Sequence, residues 1–75
     1  MIIKILGSGC QKCVTLAENA KAAADAAGKD ARIVKVTDFA GIAAYGIMST
    51  PGLVVDERVV SAGKVLTAAE IGRLL

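Results

Sequence analysis

Two thiols stand three positions apart in the stretch Gly7-Ser8-Gly9-Cys10-Gln11-Lys12-Cys13, and the chain has no other cysteine. A C-x-x-C pair has two chemistries open to it: making and breaking a disulfide, or holding a soft metal ion such as Cu(I). The flanking residues decide which sulfur does what. Upstream, the apolar run Ile2-Ile3-Lys4-Ile5-Leu6 is rich in β-branched side chains and ends at Gly7, the pattern of a buried strand. Downstream, Val14 to Ala27 consists mostly of strong helix formers and is closed by Gly28. Cys10 thus falls near a helix N-cap and Cys13 in the first turn. There the unpaired backbone N–H groups and the positive end of the helix dipole favour an anion, and Lys12 adds a mobile positive charge. Cysteines so placed ionise well below the ordinary value of about 8.5. Gly9 and Lys12 are therefore the candidate thiolate-tuning residues. Gly7 and Gly9 serve either as loop punctuation or to expose Cys10. Cys10, nearer the loop, is the candidate attacking sulfur; Cys13, deeper in the helix, is the candidate resolving sulfur.

The elements that must hold this pair have to come from 75 residues, enough for one domain with an economical core, spanning 1–75. Alanine supplies much of the apolar content, and Phe39 and Tyr45 are the only aromatics. Such small side chains suit a compact α/β packing with close helix-to-sheet contact. Net charge is only +2. The lysines and arginines are spread along the chain, which argues against nucleic acid as the main partner. The scarcity of aromatics removes the stacking platforms a single strand would need. The N-terminal apolar run is too short for a signal peptide, and no run approaches membrane-spanning length. The expectation is a cytoplasmic protein, where a C-x-x-C pair is catalytic, redox-sensing or metal-binding rather than a structural staple.

Taken in order, Ile2 to Leu6 reads as a central strand, apolar on both faces except at Lys4. The helix after it is expected to bury Val14, Ala17, Ala20, Ala24 and Ala27, widened by Leu16 and Ala23, with Glu18, Lys21 and Asp25 outside. Ala31 to Val36 reads as a second strand, parallel to the first across a right-handed crossover. Thr37 or Asp38 caps a short helix reaching about Tyr45, with Gly46 at its end. Pro51 then precedes Leu53-Val54-Val55; base rates alone favour a trans bond at a strand start. Leu53–Val55 and Arg58–Ser61 flank Asp56-Glu57 as an antiparallel hairpin. That turn is poor for a two-residue loop, because it asks a glutamate for positive φ. Thr67-Ala68-Ala69-Glu70 is a capping box opening a last amphipathic helix through Ile71, Leu74 and Leu75.

A C-x-x-C after the first strand, a β-α-β unit, and a Thr-Pro entering a hairpin that leads to a terminal helix together resemble the thioredoxin superfamily in its glutaredoxin-sized form. The likeness rests on Gly9–Cys13, on Ala44-Tyr45-Gly46-Ile47-Met48-Ser49-Thr50-Pro51, and on Val54-Val55-Asp56 through Gly63-Lys64-Val65-Leu66. The resemblance implies a minimal thioredoxin-like fold, order β-α-β-α-β-β-α, with a four-stranded mixed sheet and helices on both faces. It implies Cys10 as nucleophile, Cys13 as resolving thiol, a cis Thr50–Pro51 bond beside the disulfide, and a Thr50 backbone free to pair with an extended substrate. Tyr45 and Met48 either border that groove or are simply core or helix-end residues. Thioredoxins proper place an acid beneath the disulfide, where the first strand here offers only Lys4. Ala62-Gly63-Lys64 also lacks the Gly-Gly-x-x-Asp-like turn used for glutathione.

The leading expectation is a monomeric thiol–disulfide oxidoreductase. It would act on disulfide-containing protein substrates, take electrons from a reductase donor, and need neither cofactor nor resident metal. A copper-type metallochaperone is the main alternative, although such carriers end in a strand and this chain ends in a capped helix. A non-enzymatic redox sensor using the same disulfide is the third.

Overall fold

The computed structural model describes residues 1–75 except Cys10 and Met48. Its elements are β1 (Ile2–Leu6), α1 (Gln11–Ala26), β2 (Arg32–Val36), α2 (Phe39–Ala44), β3 (Gly52–Val55), β4 (Arg58–Ala62) and α3 (Ala68–Gly72). The four strands form one sheet in the order β2-β1-β3-β4. β1 runs parallel to β2, with Ile2 opposite Arg32 and Leu6 opposite Val36. It runs antiparallel to β3, with Ile3 opposite Val55 and Leu6 opposite Gly52. β3 and β4 form the expected hairpin, with an irregularity in pairing between Leu53 and Val54.

Alternation along β1 separates the two faces of the sheet. Ile3 and Ile5 point into the main core with Leu16, Ala17, Ala20, Ala23, Ala24, Leu53 and Ile71, so α1 and α3 cover this side. Lys4 and Leu6 point the other way, toward α2 and the loop after it: Lys4 reaches Tyr45, and Leu6 lies beside Gly52 and Ile47. The sheet is therefore mixed, with helices on both faces. β1 and β3 are its inner strands, and Val54 and Leu53 are fully buried.

The expected stripe on α1 needs correction. On α1 the buried stripe is Cys13, Leu16, Ala17, Ala20, Ala23 and Ala24. Val14 is only half-buried and Ala27 is exposed. The helix is rotated so that Cys13 opens the stripe, at the i, i+3, i+4, i+7 spacing of a core-facing side. The resolving-thiol candidate thus faces the core, at 4% exposure.

Capping follows the sequence closely. Asp38 caps α2 by accepting the Gly41 N–H at 2.7 Å. Thr67 caps α3 through a complete capping box, its hydroxyl accepting the Glu70 N–H and the Glu70 carboxylate accepting the Thr67 N–H, both at 3.1 Å. These bonds hold the Glu70 carboxyl below its ordinary range, the Thr67 backbone contact first. A five-residue helix has no stability of its own. α3 is held by its cap, by fully buried Ile71, and by Asn19 of α1, whose amide donates to the Leu66 carbonyl at 2.9 Å. Leu74, expected to continue the helix, lies beyond it and is exposed. Thr67→Ala should lower stability by about 1 kcal/mol, the usual cost of losing an N-cap. Urea unfolding measures it, and an unchanged midpoint would show the cap to be dispensable.

The hairpin turn takes its two-residue form with both residues left-handed, Asp56 at φ 48° and Glu57 at φ 68°. Asp56 is held there from both sides. Its N–H donates to the Ile2 carbonyl and its carboxylate accepts the Ile2 N–H, each at 2.8 Å.

Candidate functional site

The end of β1, the start of α1 and the segment before β3 converge at one edge of the molecule. The β1–β2 ladder runs on past Leu6, since Gly7 donates to the Val36 carbonyl at 3.0 Å. Ser8 and Gly9 then turn the chain into α1, Gly9 at φ +85°, a conformation glycine adopts without cost. Gln11 and Lys12 form the exposed first residues of the helix, and its first turn holds no acidic side chain to offset the positive dipole end. Cys10, the candidate nucleophile, lies outside the described residues.

Cys13 sits against this turn from within the helix. A Cβ placed on Gly7 would overlap the Cys13 Sγ and touch the Pro51 Cα at 3.9 Å, so glycine, sulfur and proline meet at one point. Gly7 is required by space rather than by φ, a role that loop punctuation does not capture. The Thr50–Pro51 peptide bond is cis. Pro51 is buried, and its carbonyl accepts the Gly63 N–H at 2.9 Å, which ties it to the residue after β4. Thr50 is exposed, and no other described residue hydrogen-bonds its backbone.

Two openings flank the cluster. A crevice of about 80 Å³ reaches Cys13 between β1, β2 and α1, lined by Ile5, Gly7, Gly9, Val14, Lys35 and Thr37. Its only charged lining residue among those described is Lys35, at the position on β2 that pairs with Ile5. No described carboxylate lines it. A larger groove of about 690 Å³ runs from Ser8 and Thr37 along Phe39, Ile42 and Ala43 of α2 to Gly46, Ile47 and Thr50. None of its described lining residues is charged. Phe39, the first residue of α2, stands 86% exposed at its side. The sequence reading gave Phe39 and Lys35 no role; an aromatic directly after an N-cap aspartate was the available signal for the first.

Tyr45 is the residue that ends α2 and is not among those lining the groove; its hydroxyl turns to the sheet. It accepts from Lys4 Nζ at 2.7 Å and donates to the Glu57 carboxylate at 3.2 Å, while Lys4 is also ion-paired with Glu57. The lysine nitrogen lies 5.4 Å from the Tyr45 ring centroid. Hydrogen bonding to Glu57, then to Tyr45, raises the Lys4 pKa above its ordinary 10.5. The Lys4 contact likewise lowers the Glu57 carboxyl below 4.5. Met48, read alongside Tyr45, lies outside the described residues. Among the described residues no three His, Cys, Asp or Glu side chains are grouped to hold a metal ion, and no helix is long and apolar enough to cross a membrane.

Comparison with known proteins bears on the same features. A family model described as a thioredoxin domain matches residues 1–75. A protein named thioredoxin from Methanocaldococcus jannaschii is 44% identical over 71 residues, covering 95% of this chain and 81% of that protein. A second, also named thioredoxin, from Methanothermobacter thermautotrophicus, is 36% identical over 75 residues, covering 100% of this chain and 97% of the relative. With a thiol in the first turn of the helix after β1, a cis proline against it and the β-α-β-α-β-β-α order, the chain belongs to the thioredoxin family of thiol–disulfide oxidoreductases.

Proposed function

We propose that this protein exchanges its Cys10/Cys13 dithiol with disulfides in other proteins. The observation that carries the reading is the meeting of buried Cys13, Gly7 and Pro51, whose chain neighbours Ser8 and Thr50 line a groove with no charged side chain among its described residues. A small disulfide needs no such groove, whereas an extended polypeptide fills one.

In the proposed reaction the Cys10 thiolate attacks one sulfur of the substrate disulfide. A Cys10–substrate disulfide forms, the substrate S–S bond breaks, and the other substrate sulfur leaves as a thiolate. Cys13, after losing its proton to solvent through the crevice beside Lys35, attacks the Cys10 sulfur. The Cys10–Cys13 bond forms and the second substrate sulfur leaves. Two electrons pass from protein to substrate, and a reductase donor restores the dithiol. The burial of Cys13 supports this division of labour, since a sulfur packed under Gly7 meets a partner already held on Cys10 more readily than one arriving from solution. The Thr50 backbone, to which no other described residue hydrogen-bonds, supports docking of the substrate segment by strand addition beside Pro51. Gly9 and Lys12 serve as thiolate-tuning residues at the dipole end.

The test is reduction of the interchain disulfides of insulin by catalytic amounts of this protein under a dithiol, followed by turbidity. Acceleration well above the dithiol alone is expected. No acceleration, together with stoichiometric copper after anaerobic purification, would replace this reading with metal carriage.

A further inference from the structure

We infer that Lys4, Tyr45 and Glu57 form a brace that positions the α2 wall of the substrate groove, and so governs capture of protein disulfides from a place that touches no substrate. The inference rests on the disulfide-exchange reading of that site.

The starting observation is a residue in the wrong conformation for its type. Glu57 holds φ 68° in a tight turn where glycine would sit without strain. Asp56 has a local reason for its own left-handed φ, the two hydrogen bonds with Ile2. The two-residue turn imposes a positive φ at position 57 as well; what a glutamate adds there over glycine is its carboxylate, joined to Lys4 and to the Tyr45 hydroxyl. Tyr45 is the C-cap of α2, its N–H donating to the Ile42 carbonyl at 3.1 Å, and it leads directly into Gly46 and Ile47. Ile42, Gly46 and Ile47 all line the groove. α2 has no buried residue of its own. A six-residue helix without a buried side chain has little packing to fix its position, so the polar tie from Tyr45 to the sheet carries a large share of that task. Lys4 completes the link, because β1 leads straight from it to Gly7 and the Cys13 sulfur.

The experiment pairs Glu57→Gly with Tyr45→Phe. Glu57→Gly keeps the turn and relieves its strain while cutting the brace. Tyr45→Phe keeps the ring and removes the hydroxyl. Both variants should melt within a few degrees of wild type. Both should raise KM for insulin about three- to tenfold at unchanged kcat, the range for residues coupled to a site they do not touch. Their rates on a small disulfide such as hydroxyethyl disulfide should not change. An unchanged KM, or equal losses on the large and small substrates, would overturn the brace. If wild-type protein reduces no protein disulfide, the proposed function falls and the brace is judged separately by amide hydrogen exchange. Faster exchange at Tyr45 and Gly46, whose N–H groups bond the Ile42 and Ala43 carbonyls at the end of α2, in Glu57→Gly would uphold it, and equal exchange would reject it.

Discussion

Cys10→Ser is expected to abolish insulin reduction, a loss of at least about a thousandfold, because a serine hydroxyl at neutral pH is no substitute for a thiolate nucleophile. Cys13→Ser should act differently. The first displacement still runs, but no second sulfur is available to release the substrate, so the protein should accumulate as a covalent adduct. On a non-reducing gel each Cys13→Ser molecule should carry one substrate chain, released by excess dithiol, while Cys10→Ser carries none. The asymmetry is the informative part. If Cys10→Ser turned over, or if the adduct formed on the buried sulfur and not on the other, the assignment of roles would be reversed. Metal carriage predicts no adduct from either variant.

The second large effect concerns a residue with no chemistry of its own. Gly7→Ala adds one methyl group, directed at the Cys13 sulfur. Cys13 is packed against α1 and the core at 4% exposure, so the sulfur can yield only by shifting into the small crevice beside it or by moving the backbone. Overpacking of this kind costs about 1–3 kcal/mol. The same displacement should move the resolving thiol out of line with its partner, and a 1 Å misplacement of a reacting group costs on the order of a hundredfold in rate. Urea unfolding should show the stability loss, and rapid acid quenching should show the mixed disulfide lingering as it does in Cys13→Ser. Normal stability together with a normal rate of Cys10–Cys13 closure would mean that the sulfur has slack here.

The order of elements was legible because its signals are local. Thr67 and Glu70 announce their cap within four residues, Asp38 announces α2, and the β-branched runs separated by an alanine-rich helix specify parallel pairing of β1 and β2. The rotation of α1 was not legible. In a helix where almost every turn offers alanine, several apolar stripes compete, and the choice is settled by what the sheet presents. Of the site, the placement of Cys13 in the first turn of α1 and the cis bond before Pro51 were legible, while Cys10 lies outside the described residues. The site's supporting contacts were not legible, because each joins residues distant in the chain: Gly7 with Pro51, Lys4 with Glu57, Ile5 beside Lys35. Lys4 read as an interruption in an apolar strand because its partners lie 41 and 53 residues away. Glu57 read as a poor turn residue for the same reason, since the interaction that justifies it cannot be seen from the turn.

The hydrogen bond from Gly63 to the Pro51 carbonyl has a mechanical meaning. β4 is an outermost strand, the kind that frays first when a sheet loosens. Here the fraying end is moored to the proline that flanks the buried thiol, so unzipping the margin of the sheet slackens the redox centre with it. Through that bond, loosening at this margin of the sheet is transmitted to the proline beside the thiol.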